Sequence, residues 1–225
     1  MDVNNEGGQL MFKYVLRPFS LAALFFSLAT IIVALLVYSY LPETIPIHWN
    51  WEWEVDRTGS KSFIFVFALL PLAIYLLTSY IPHFEQKQTA FMKHKKAYSV
   101  FVLVIVIFLS ILSVAMLLLI IGYPIDFSKV IGTELGIFLL IIGNYMRQIR
   151  PNGMFGIRTP WAKASEKNWR ATHRLGSVLY AISGMWILVG LWIAANWWLF
   201  TGFALILIFS IVLVAYSYYL HQKNV

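Results

Sequence analysis

Six apolar runs constrain this chain more than any other feature: Phe19 to Leu41, Ser62 to Ile81, Ala97 to Ile121, Val130 to Met146, Leu175 to Ala195 and Trp197 to Leu220. Each approaches or exceeds the ~20 residues an α-helix needs to cross a hydrocarbon core of ~30 Å. Inside hydrocarbon every backbone N–H and C=O must be satisfied within its own segment, so the runs are expected to be helical. The ten-residue alternation of a membrane β-barrel is not seen. With 60% hydrophobic residues, 12% charged residues and a mean hydropathy of +0.74, lipid rather than water is the solvent for most of the chain. The predicted fold class is all-α membrane: a six-transmembrane-helix bundle with a short strand-like loop after the first helix. The first run is expected to stay as an anchor, because it is longer than a signal-peptide core and Tyr40, Leu41 and Pro42 follow it in place of a small-residue cleavage site.

The net charge of +7 is explained by topology. If the N-terminus is cytoplasmic, Lys13 and Arg17, the loop lysines 87, 93, 95 and 96, the seven basic residues from Arg147 to Arg174, and Lys223 are all inside. Only Arg57, Lys61 and Lys129 are outside. That is the asymmetry of the positive-inside rule, so both termini are expected in the cytoplasm, and no direct contact with nucleic acid is inferred. Three stretches result: a cytoplasmic segment 1–18; the first two helices, 19–82, with an outer loop 42–61; and a four-helix region 97–225 with a cytoplasmic loop 147–174. No repeat of 20 to 50 residues divides the chain.

The outer loop opens with Pro42 and Pro46, which stop the first helix and favour extended chain. Ile47, Trp49, Trp51 and Trp53 then alternate with His48, Asn50, Glu52 and Glu54, a period of two that predicts a short strand against the membrane interface, with Asp56 to Gly59 as the turn. Pro42, Pro46, His48, Trp49, Trp51, Glu52, Trp53 and Glu54 are candidates for docking a cationic or amphipathic peptide. The competing reading is an interfacial aromatic belt with solvated acids. His48 with Glu52 and Glu54 has no recognised metal-ligand spacing.

The inner loop carries Asn144, then Asn152-Gly153 and Gly156-Ile157-Arg158-Thr159-Pro160-Trp161, then Trp169 and Thr172-His173-Arg174. Asn152-Gly153 is a turn dipeptide. Thr159 and Pro160 are an N-cap and first helical residue, and Ser165 is a second cap leading through Trp169 and His173 into the fifth span. On that helix Trp169, Thr172 and His173 share a face. Arg158 suits a lipid phosphate, a helix C-terminus or a partner's carboxylate, or merely adds to the inside charge. Gly132 to Gly136 is a Gly-x-x-x-Gly pattern that favours close helix packing. Glu134 is the one acid within a predicted span, where it must pair, face a wet cavity, be protonated or snorkel to the outer interface.

The inner string resembles the signature of the SdpI family of bacterial immunity membrane proteins. The outer Leu-Pro-x-x-Ile-Pro-x-His-Trp, Leu41 to Trp49, is similar to the extracellular module that precedes it in longer members. The resemblance implies a six-helix protein of Gram-positive cytoplasmic membranes that protects against a secreted peptide toxin and captures a small cytosolic repressor at the membrane. The expected partners are therefore membrane lipids, the toxin and such a repressor. The inner-loop candidates are Asn144, Asn152, Gly156, Arg158, Thr159, Pro160, Trp161, Trp169, His173 and Arg174. The aromatic run Trp49-x-Trp51-x-Trp53 departs from the family's pattern and leaves the toxin's identity open, as the oligomeric state is open. A rival function is export of a peptide or small cation, suggested by Glu134 and the glycine-rich spans. Neither a cofactor nor enzymatic activity is expected, since zincin, hydrolase-elbow and paired-carboxylate motifs are not found in the sequence.

Overall fold

Residues 15–50, 52, 54–84, 92–193 and 197–223 are described by this computed structural model. In chain order they form α1 (Arg17–Val37), a hairpin of β1 (Thr44–Trp49) and β2 (Val55–Ser60), α2 (Ile64–Tyr80), α3 (Lys95–Ile120), α4 (Phe127–Met146), the short α5 (Pro160–Ala164), α6 (Glu166–Ile193) and α7 (Trp197–Gln222). All but α5 are long and apolar enough to cross a membrane, which makes six candidate spans, as the hydropathy predicts. With six crossings the hairpin lies at one end of the bundle and the 147–174 segment at the other. Side chains that face outward along the spans are apolar, Leu36, Val66, Leu207 and Ile211 among them, which suits contact with lipid.

The helices fall into two groups. α1, α2 and α3 pack on one another, α6 packs on both α4 and α7, and α3 joins the groups by packing on α4. Polar side chains cross the first group. Ser20 and Tyr75 share a hydroxyl–hydroxyl bond of 2.5 Å, and the Leu16 N–H donates to Ser99 Oγ at 2.8 Å. Pro71, buried inside α2, has no N–H and so frees the carbonyl of Phe67 one turn earlier. The Ser113 hydroxyl of α3 donates to that carbonyl at 2.9 Å. A neighbouring helix thus repairs the proline's defect, which is how a spanning helix tolerates one.

In the second group small residues set the approach of α4 to α6. A Cβ on Gly136 would lie 2.5 Å from Leu188 Cγ, and one on Gly143 would lie 2.9 Å from the Ser177 carbonyl. Gly184 answers from α6, where a Cβ would meet the Gly136 carbonyl at 2.7 Å. The Gly132 to Gly136 pattern is therefore occupied within the chain, as a close-packing seam. Asp126 caps α4, accepting from the Lys129 N–H at 3.2 Å and from the Ser128 hydroxyl at 2.7 Å. Partial burial works against its charge, but these bonds and the Lys129 ammonium hold its carboxyl below the usual range.

The outer loop differs from its sequence-based expectation in where the first strand ends and where the chain turns. Asp56 to Gly59 do not form the turn; they belong to β2, which pairs antiparallel with β1 through Ile45 opposite Gly59 and Pro46 opposite Thr58. The chain reverses instead between Asn50 and Glu54. Asn50 Oδ1 accepts the N–H groups of Glu52 and Glu54 at 2.9 and 3.0 Å, an Asx-type closure. β1 ends at Trp49, so the alternation expected from Ile47 to Glu54 is met only at Ile47, His48 and Trp49, of which His48 is exposed; Ile45 is buried and Ile47 packs beside it against Ala34, Ile64 and Leu117.

Candidate functional site

The 147–174 segment is a folded assembly between the ends of α4, α6 and α7, and its shape follows from a few side chains that each replace missing backbone partners. Asn152 is buried and uses its whole amide locally. Nδ2 donates to the carbonyls of Arg150 (2.8 Å) and Phe155 (2.9 Å), while Oδ1 accepts the N–H groups of Met154 (2.8 Å) and Phe155 (2.7 Å). Four bonds saturate the group and define the loop's tight reversal. Gly156, four residues after Asn152, has φ +107°, a region open to glycine, and a Cβ there would sit 2.5 Å from His173 Nε2.

His173 and Trp169 fasten this loop to α6. Trp169 has no solvent exposure; its Nε1–H donates to the Ile149 carbonyl at 2.8 Å, and its ring stacks on His173 with centroids 4.3 Å apart. His173 Nδ1 faces the Trp169 carbonyl at 2.8 Å, and Nε2 accepts the Ile157 N–H at 3.1 Å. Donation at Nδ1 and acceptance at Nε2 together require a neutral imidazole of one tautomer. Its two ring nitrogens are engaged by backbone, so the ring positions the loop. Trp169, Ala97, Met146, Ile149 and Ala162 form one buried cluster beneath it.

Thr159 ties the same loop to α7. Its Oγ1 accepts the Ala162 N–H at 3.0 Å, the N-cap expected at Thr159-Pro160, and also lies 2.6 Å from Ser217 Oγ. Asn168, with no exposure, completes the tie: Nδ2 donates to the Ser217 carbonyl at 2.8 Å, and Oδ1 accepts from Thr172 Oγ1 and Ser217 Oγ, each at 3.0 Å. Ser165 caps α6 as expected, accepting the Asn168 N–H at 3.3 Å. Trp161 packs edge-on against Tyr218, centroids 4.9 Å apart. Asn168 and Ser217 escaped the sequence reading. The only sequence signal for them is weak: an amide one turn before Thr172, and one of several hydroxyl residues in the last span, with Thr201 and Ser210.

What this scaffold holds out is charge. Arg158 and Arg174 are exposed and make no hydrogen bond or ion pair with any described residue; Pro160 beside Arg158 is exposed too. Of the inner-loop candidates, Asn152, Gly156, Thr159, Trp169 and His173 come together as one bonded unit, with Trp161 at its α7 edge. Asn144 stands apart, exposed on α4 near Arg147.

The outer candidates form no comparable unit. His48 Nδ1 lies 2.6 Å from Asp56 Oδ1, not from Glu52 or Glu54, which are exposed. Trp49 stacks on Phe127 at the start of α4, centroids 5.6 Å apart. Pro42 is exposed, and Pro46 sits in β1 where the register shifts. Trp51 and Trp53 lie outside the described residues. Among the described residues no cluster of histidine and carboxylates is arranged for a metal ion. Glu134, on α4, has both carboxyl oxygens buried and without a hydrogen-bond partner among the described residues.

Comparison with known proteins follows this division. The SdpI/YfhL protein family profile matches residues 148–217, which contain the bonded assembly, α6 and most of α7. A domain of unknown function (DUF1648) matches residues 25–73, which contain the hairpin. The immunity protein SdpI of Bacillus subtilis (strain 168) is 33% identical over 156 residues, 69% of this chain and 73% of that protein. No solved structure matches the chain. Six apolar helices, the 148–217 match and this relative together show a multi-pass cell-membrane protein that belongs to the SdpI family.

Proposed function

We propose that the protein protects a bacterial cell against a secreted peptide toxin, acting by binding rather than by catalysis. The observation that carries this reading is the likeness to the Bacillus subtilis immunity protein, which covers 69% of this chain and 73% of that protein, beside the family match over 148–217 that contains the bonded assembly. Both termini and the 147–174 segment are placed in the cytoplasm, because fourteen of the seventeen lysines and arginines then lie inside. The hairpin, with Trp49, Glu52 and Glu54, meets the toxin outside. Inside, Arg158 and Arg174 project from a rigid platform and suit the carboxylates of a small repressor held at the membrane.

The test is membrane depolarisation in a toxin-sensitive Gram-positive host challenged with culture fluid of the organism that carries the protein. Cells expressing the protein keep their potential while empty-vector cells lose it; equal loss in both removes the immunity reading. The repressor half is tested separately by fractionating toxin-exposed cells, where a repressor that stays soluble rules it out.

A second reading, export of a peptide or small cation, is favoured by one observation, the unpartnered carboxyl of Glu134 inside a span. Proteoliposomes with substrate flux no higher than empty vesicles would remove it.

A further inference from the structure

A groove of about 800 Å³ runs along the seam of α4 and α6 and opens sideways, where the bilayer would lie. Its back wall is made of small residues, Gly143 and Ala181, which recess the seam below the neighbouring side chains. Its open edge carries Val178, Ile182, Met185 and Val189, each between 43% and 51% exposed. From Ser177 to Val189 the helix rises roughly 18 Å, close to one leaflet of a ~30 Å hydrocarbon core. Trp186 and Trp198 close the far end, stacked with centroids 4.4 Å apart and locked by a Trp198 Nε1–H bond to the Trp186 carbonyl at 2.8 Å.

The near end is polar and cationic. Arg147 is exposed, and its Nε donates to Ser177 Oγ at 2.9 Å, which turns the guanidinium along the groove's mouth. Its remaining N–H groups make no hydrogen bond with a described residue. Asn144, three residues earlier and so on the same face of α4, adds an exposed side-chain amide. An occupant must therefore enter from the bilayer, lie along the membrane normal for about one leaflet, and present an anion at headgroup depth. Those demands describe a lipid phosphodiester with its acyl chain.

We propose that the groove between α4 and α6 is a binding site for one anionic phospholipid, its phosphate on Arg147 and Asn144 and an acyl chain over Ala181 toward Trp186. The site is independent of the immunity reading: it uses none of the bonded 152–173 unit and stands whether or not the protein confers protection. A guanidinium–phosphate contact is charge-assisted and at this depth is worth about tenfold in affinity.

Native mass spectrometry of the detergent-purified full chain, titrated with phosphatidylglycerol or phosphatidylcholine, tests this. The wild type is expected to bind one phosphatidylglycerol in preference to phosphatidylcholine. Arg147→Ala is expected to weaken that binding about tenfold. Ile182→Trp, which narrows the groove from its open side and leaves Arg147 in place, weakens it as well; Val178→Trp replaces that variant should it not fold. Lys167→Ala removes an equal charge from α6, away from the groove, and leaves binding unchanged. Equal affinity for the two lipids, equal loss in Arg147→Ala and Lys167→Ala, or unaltered binding in the correctly folded groove-filling variant overturns the proposal, as does finding a second copy of the chain in the groove.

Discussion

The two family-matched regions of this protein are held together by different physics. In 148–217 the backbone is bonded side chain by side chain: Asn152 closes its own loop, His173 holds Ile157 to α6, and Asn168 with Ser217 holds the loop to α7. In 25–73 the hairpin rests on apolar contact, with Ile45 and Ile47 seated among Ala34, Ile64 and Leu117, and its polar groups face outward. The directional set specifies one geometry, because leaving a buried donor or acceptor unpaired is costly. The apolar set tolerates rearrangement, since packing of similar volume is nearly equivalent in energy. In the proposed function the first suits a platform that presents Arg158, and the second a surface that meets a peptide.

The largest effect should follow from removing the centre of the bonded region. Trp169→Ala deletes a fully buried ring, its bond to Ile149 and the stack on His173, and is expected to cost about 3–5 kcal/mol. Loss of folded protein in a detergent melting assay checks it; a near-wild-type melt would break the contrast between the regions.

Gly156→Ala comes next. The alanine must hold φ near +107° and move His173 away from a contact of 2.5 Å, a cost of about 1–3 kcal/mol. The same melting assay reads this loss, and proteolysis of the 147–174 segment should quicken with it. On the hairpin side, Trp49→Ala removes an interfacial stack on Phe127 and should cost about 1 kcal/mol. A loss as large as that of Trp169→Ala would show that the hairpin is as rigidly specified as the loop assembly. Arg158→Ala should alter stability least, within about 0.5 kcal/mol, because the side chain is exposed and bonded to no described residue. Its effect belongs to function, and melting temperatures of wild type and variant should coincide.

Local chemistry was legible in the sequence and long-range pairing was not. The six spans, the Thr159-Pro160 start and the Ser165 cap each depend on residues within a few positions, so pattern alone finds them. The Asn168 to Ser217 bond joins residues 49 apart, and nothing near either one signals the other. Asn50 to Glu54 and Asp56 to Gly59 both carry turn-forming residues, so local pattern does not locate the hairpin turn. Register decides between them: seating Ile45 and Ile47 in the core brings Gly59 opposite Ile45, where a Cβ would lie 3.1 Å from Ile47 and Phe63. His173 and Trp169 were legible as sharing a face, but their role as fasteners of Ile157 and Ile149 appears only when the loop folds back.

In the proposed function the bonded loop assembly presents Arg158 to a partner inside the cell, and protection is expected to depend on that contact as well as on the outer hairpin. Depolarisation of a toxin-challenged host carrying wild type or Arg158→Ala, at matched membrane levels and with matched melting temperatures, tests it most directly. The wild type should preserve the potential, and the variant should lose most of that protection. Full protection by the variant would contradict that dependence and move the mechanism away from this loop.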